Sequence, residues 1–181
     1  MKHCLPFLRR YKDCLLFAAL VIGYGVWGVM HGQVSTWDLM NYHLYNAYAF
    51  VTGRFGTDIM PAGVHTFLNP LPDVPYYLMI RYLNEYPRVT AFIMSCWSGV
   101  LLFLFYKFCA LVYGRKEWLW TCFAVVFAAG GYMFVTQTGS QNNDISLNAI
   151  ALFSVYLFFQ FLFKTRANGV ICFGRRLLRA A

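Results

Sequence analysis

Four long apolar stretches, each carrying at most one charge, constrain this chain more than any other feature. They occupy residues 14–31, 89–108, 118–136 and 145–163, and each is close to the roughly 20 residues that a spanning helix needs. In hydrocarbon the backbone must satisfy its own hydrogen bonds, so segments of this length are helices. Composition points the same way. Of 181 residues, 60% are hydrophobic and 12% charged, against about 45–50% and about 25% in soluble domains. So much apolar surface cannot be hidden inside a globule of this size, and the chain is far too apolar to be disordered. The sequence predicts an all-α integral membrane protein.

The formal net charge of +8 would suit a nucleic-acid partner, but the basic residues are not spread over a face. Lys2, Arg9, Arg10 and Lys12 precede the first stretch, and Lys107, Arg115 and Lys116 lie near the turn between the second and third. Lys164, Arg166, Arg175, Arg176 and Arg179 follow the fourth. Basic clusters at alternate ends mark the cytoplasmic side. Residues 1–13 and 164–181, and so both termini, are expected inside; residues 32–88 and 137–144 are expected outside. The expected architecture is a single membrane domain over 1–181, with four spans in a plasma or inner membrane and one long outer loop carrying one or two juxtamembrane helices. Membrane lipid is the expected partner, and nucleic acid is not. A signal peptide is the alternative for the first stretch, but its apolar part is long and no small-residue cleavage motif follows. No cysteine falls in the outer loops and no CxxC spacing occurs, so neither a disulfide framework nor a zinc site is expected.

The outer loop holds the candidate chemistry. Ser35 or Thr36 can cap a helix whose first turn contains Asp38. Nothing breaks helix from there to about Thr52, and Gly53 is placed to end it. Asp38, Asn41, Tyr42, Tyr45, Tyr48 and Ala49 recur at three- and four-residue steps and share a face. A helix so aromatic and so poor in charge should lie on the membrane surface. Pro61, Pro70, Pro72 and Pro75 make the next stretch irregular until a short helix at about 74–83. Asp38 admits two readings: a helix cap, or a carboxylate held near the membrane for function. Asp144, at the start of the fourth span after Asn142 and Asn143, admits the same two. His43 and His65 share the loop, but their spacing matches no metal-ligand pattern. Arg54 and Arg81 either grip a phosphate through paired donors or are solvated.

The order of these features resembles the first outer loop of the GT-C membrane glycosyltransferases, which include protein O-mannosyltransferases, lipid A aminoarabinose transferases and oligosaccharyltransferases. The likeness rests on Asp38, the run Tyr42 to Tyr48, Gly53, Asn69-Pro70-Leu71, Pro75-Tyr76-Tyr77-Leu78, and Asp144 leading its span. It covers roughly Leu15 to Phe163, so the resemblance implies a partial GT-C fold, the N-terminal portion only. It also implies transfer of a sugar from a polyprenyl-phosphate donor at the outer face. Asp38 would be the catalytic base. Asp144 would be a second acid, serving the donor phosphate through a divalent cation or orienting the acceptor; the sequence itself requires no cofactor. Tyr42, Tyr45, Arg54 and Arg81 would bind substrate. The chain departs from the family in having Leu39 rather than a second acid after Asp38, and in its short length. After Phe163 the only apolar stretch is Val170 to Phe173, so a truncated member is expected, inactive alone and completed by further membrane subunits or spans. Small residues such as Gly99, Ala129, Gly130 and Ala149 suit close helix packing. The competing reading is a non-catalytic four-span scaffold or subunit. A cleft shared by Asp38 and Asp144 favours the enzyme; carboxylates spent on capping favour the scaffold.

Overall fold

The computed structural model of the chain describes residues 4–32, 36–114, 117–140 and 143–177, with side chains described between 11 and 164. Ser35, Arg115, Lys116 and Asn142, which enter the expected caps and topology, lie outside the described residues. The helices are α1 (Cys4–His31), α2 (Leu44–Val51), α3 (Val74–Leu83), α4 (Pro87–Tyr113), α5 (Trp118–Ala129), α6 (Tyr132–Gln137) and α7 (Asp144–Leu177). A π-helical turn, Leu39–His43, leads into α2, and a 3-10 turn occupies Gly63–Phe67. No strand forms among the described residues. Three segments are long and apolar enough to cross a membrane: Tyr11–His31, Pro87–Tyr113 and Asp144–Lys164, with mean hydropathies of 1.8, 1.9 and 1.8.

The frame is built on α4. Helix α1 runs antiparallel to it, with Lys107 on Asp13 at 2.7 Å, Phe17 edge-on to Phe103 at 5.1 Å, and Gly28 against Ser95 at the far end. Glycine permits this approach. A Cβ added at Gly99 would sit 2.5 Å from the Leu20 carbonyl oxygen, and one at Gly28 would sit 1.8 Å from Ser95 Oγ. Helices in lipid gain no hydrophobic drive from pairing with each other, so contact at this range is what holds them. Gly99 and Ala149 are buried as the small-residue expectation has it, whereas Gly130 meets only its own helix.

Helix α7 runs parallel to α4. Met94 and Ile150 line one groove at the end that carries the long loop, and Phe108 meets Phe159 at 5.5 Å further along. Two parallel neighbours oblige the chain to return between them, and residues 118–137 do so against α4. That return is not one helix, unlike the expected span 118–136. It breaks at Gly130-Gly131, where Gly131 turns extended at φ −62°, ψ 132°, because successive glycines lose most on adopting helix. With 12 residues, α5 is about 18 Å long at about 1.5 Å per residue. Its Trp118, Leu119, Trp120 and Phe123 are exposed, a surface suited to lipid. At the other end, α7 does not stop near Phe163 but continues to Leu177.

The loop helix forms where the sequence places it. Thr36 Oγ1 accepts the Leu39 N–H at 3.2 Å, and Gly53 ends the helix at φ +70°. The unexpected feature is the π turn, in which the Leu44 N–H reaches back five residues to the Leu39 carbonyl. Such single-turn bulges redirect the side chains they carry and recur at functional sites. This one carries Tyr42 and His43.

Candidate functional site

Asp38 is not spent on capping. Its side chain makes no cap hydrogen bond to the turn that follows; Thr36 does that work. Instead the carboxylate lies close enough to Tyr42, one turn on, to act on its phenol. Burial pushes the Tyr42 phenol above its usual range, and the charge and hydrogen bond of Asp38 push it further. Asp144 and Asp73 act on the same phenol in the same direction. Carboxylates from the loop helix, from the residue before α3 and from the first turn of α7 therefore converge around one tyrosine.

Two imidazoles pack on that ring. His65 stacks on it at 4.7 Å and 13°, and His43 lies tilted against it at 4.3 Å and 37°. Trp37 meets His65 edge-on at 6.3 Å. Asn46, fully buried, donates to the His65 carbonyl at 2.7 Å and so fixes the 3-10 turn that presents the ring.

Behind His43 lies Asp73, whose side chain is only 8% exposed. A carboxylate so buried needs donors. His43 Nδ1–H donates to Oδ1 at 2.7 Å, and the Asn143 side-chain amide donates to the same oxygen. Three elements are joined there: the π turn, the start of α3 and the start of α7. An aspartate just before a Val-Pro helix start reads in sequence as a cap, yet Asp73 makes no side-chain cap bond. Its partners lie 30 and 70 residues away, so no local spacing announces them. Asp73 and Asn143 are the residues that sequence reasoning missed.

The other expected substrate residues gather elsewhere. Arg54 grips Asp58 through Nε at 2.9 Å and Nη2 at 2.8 Å, and the Tyr45 hydroxyl donates to Asp58 at 2.5 Å. The guanidinium, and then the Tyr45 hydroxyl, hold the Asp58 carboxyl down at about 2. The hydrogen bond to Asp58 in turn raises the Tyr45 phenol. Arg81 lies exposed on α3, with its guanidinium 5.6 Å from the centre of the Tyr82 ring. The structure thus brings together Asp38, Tyr42 and Asp144, and it leaves Tyr45, Arg54 and Arg81 outside that cluster.

Among the described residues no three His, Cys, Asp or Glu side chains converge to hold a metal ion. The divalent cation implied by the resemblance finds no ready ligand set, and no step is routed through one. Beside the cluster runs a groove of about 250 Å³ whose walls include Asn143, Leu71, Tyr76, Met94, Trp97 and Ile150. It is apolar along its length and touches the polar cluster at Asn143. Burial pushes the Tyr76 phenol in its wall up to about 12, so this tyrosine stays neutral.

Comparison with known proteins returns no match: no family model, no curated protein and no solved structure matches the chain.

Proposed function

We propose that the loop end of this chain is a glycosyl-transfer site of the GT-C type, facing outward from the membrane and using a polyprenyl-phosphate sugar as donor. The observation that carries this reading is the state of Asp38. Its carboxylate is free of capping duty and acts on the Tyr42 phenol, as Asp144 does from the start of α7. In the reaction the acceptor oxygen attacks the anomeric carbon and its proton passes to the Asp38 carboxylate. The bond from the anomeric carbon to the phosphate oxygen breaks, and the polyprenyl phosphate leaves with the electron pair. A positioned general base contributes roughly 10²–10⁴ in rate. The groove beside Asn143 suits an amphiphile, with a polar head at the cluster and a hydrocarbon tail along Met94, Trp97 and Ile150. In this reading α5 and α6 together make a fourth crossing, which returns the chain to the outer side so that α7 can start there.

A photoactivatable polyprenyl-phosphate sugar, irradiated with the full chain in native membranes, tests the reading. Cross-links should map to the peptides holding residues 36–76 and 143–150, and unlabelled donor should compete them away. Cross-links spread evenly over the lipid-facing helices, untouched by competitor, would refute a donor site.

A further inference from the structure

The cluster that is to receive a phosphodiester is acidic, and that raises the question of what neutralises the phosphate. Among the described residues Asp38, Asp73 and Asp144 pair with no arginine or lysine. Arg54 is committed to Asp58, and Arg81 and Arg88 are exposed and make no ion pair among the described residues. The described lysine side chains sit at the opposite end of the bundle, Lys107 on Asp13 among them. Among the described residues, a phosphate oxygen placed here would meet no guanidinium or ammonium.

We propose that His43, held by Asp73, is the cation of this site: protonated, it presents Nε2–H to an oxygen of the donor phosphodiester. The inference rests on the glycosyl-transfer reading for the identity of the ligand, and on geometry for the choice of residue. Asp73 takes the proton on Nδ1 at 2.7 Å, which fixes the tautomer and leaves Nε2 as the working atom. Nε2 has no hydrogen-bond partner among the described residues, and the His43 side chain is 19% exposed, so a ligand can reach it. A carboxylate behind an imidazole favours the imidazolium, just as a phosphate in front of it does. Asn143 donates to the same Asp73 oxygen and keeps that carboxylate from swinging away. His65 lacks such a partner; its ring is spent on stacking with Tyr42. His31, the third imidazole at this end, stacks on Trp27 at 4.0 Å and engages the Trp27 carbonyl.

The titratable groups around His43 are known from each neighbouring element. Asp38 and Tyr42 come from its own helix, His65 from the 3-10 turn, Asp73 from before α3 and Asp144 from α7. Of the side-chain types gathered here, imidazole is the one whose charge ordinarily changes in the region of about pH 5 to 8. Only the protonated imidazole attracts the anion. Affinity should therefore be high below this region and fall as pH rises through it.

The test uses farnesyl methyl phosphate, a phosphodiester whose single charge does not titrate across this range. Its binding to the full chain in detergent micelles is measured between pH 5.5 and pH 8. The wild type should bind about tenfold more tightly at the lower pH. His43→Gln should bind weakly and without pH dependence, His65→Gln should keep the wild-type profile, and Asp73→Asn, which no longer holds the ring by a charged partner, should bind more weakly than wild type. A measurement on the unmutated chain covers the case of a misfolded variant: in [15N]histidine spectra, saturating probe should shift the His43 Nε2 resonance and raise its titration midpoint. A flat pH profile for the wild type, or a His43 resonance indifferent to the probe, would overturn the proposal. If the probe follows His43 while no sugar is transferred, the transferase reading falls and the anion site stands. If transfer depends on Asp38 while the probe ignores His43, the anion site falls and the transferase reading stands.

Discussion

The long loop carries two carboxylate clusters that differ in what answers the charge. Asp58 is met by a two-pronged guanidinium and a phenol, all in one stretch of chain and partly open to solvent. Asp38 has the Tyr42 phenol one turn on, and Asp73 is met by an imidazole and an amide from distant elements, with no guanidinium among the described partners. The first cluster is electrically complete. The second retains unbalanced negative charge and an imidazole nitrogen without a partner. Under the proposed function one cluster is a folding clasp and the other a chemical site, and the completeness of their pairing tells them apart.

The comparison breaks first if the frame beneath both clusters is removed. Gly99→Leu would drive a side chain into the Leu20 backbone at 2.5 Å, where neither helix can yield. The cost should exceed about 3 kcal/mol, and size-exclusion profiles in detergent should show loss of the monodisperse species.

Next in size is the asymmetry between Asp73 and Asp58. Asp73→Ala strands His43 and Asn143 around a buried vacancy and should lower unfolding stability in mixed micelles by about 3 kcal/mol. Asp58→Ala removes a solvent-screened clasp and should lower the unfolding midpoint far less than Asp73→Ala at neutral pH. Equal losses for the two would erase the distinction.

Smaller again is Tyr42→Phe. The packing on His43 and His65 survives, and only the hydroxyl beside Asp38 is lost, so a decrease of about 1 kcal/mol is expected in the same measurement.

The smallest effect is confined to acid. The Asp58 carboxyl sits at about 2 in the folded chain against 3.8 free. Its contribution is therefore complete above 3.8 and disappears as pH falls from there toward about 2. Pepsin cleavage near Phe55, normalised to an unstructured peptide of the same sequence, should rise across that window and not above it.

What could be read in the sequence follows from range. The long helices were legible because apolar length in a chain this poor in charge leaves no alternative. The loop helix was legible because Thr36 and Gly53 are local signals at its two ends. Asp38 was legible as a candidate, and its freedom from capping became visible only with Thr36 seen in the capping role. Arg54 and Asp58 stand four residues apart, a spacing open to a salt bridge, yet the same guanidinium suits a phosphate or solvent equally well. The His43–Asp73–Asn143 junction was not legible, since its members are joined by the fold and by no periodicity. The π turn and the break at Gly130-Gly131 were missed for a related reason. The turn's sequence reads as ordinary helix, and a glycine pair within an apolar run is compatible with either outcome.

The central claim is that Asp38 belongs to a working site and Asp58 to a clasp. The most direct test measures initial rates of sugar transfer from a labelled polyprenyl-phosphate sugar in native membranes, where the chain has its natural neighbours. Wild type, Asp38→Asn and Asp58→Asn are compared at matched expression. Asp38→Asn should lose at least about a hundredfold in rate while remaining inserted, and Asp58→Asn should stay close to wild type. Transfer retained by Asp38→Asn, or an equal loss in both variants, would contradict the account.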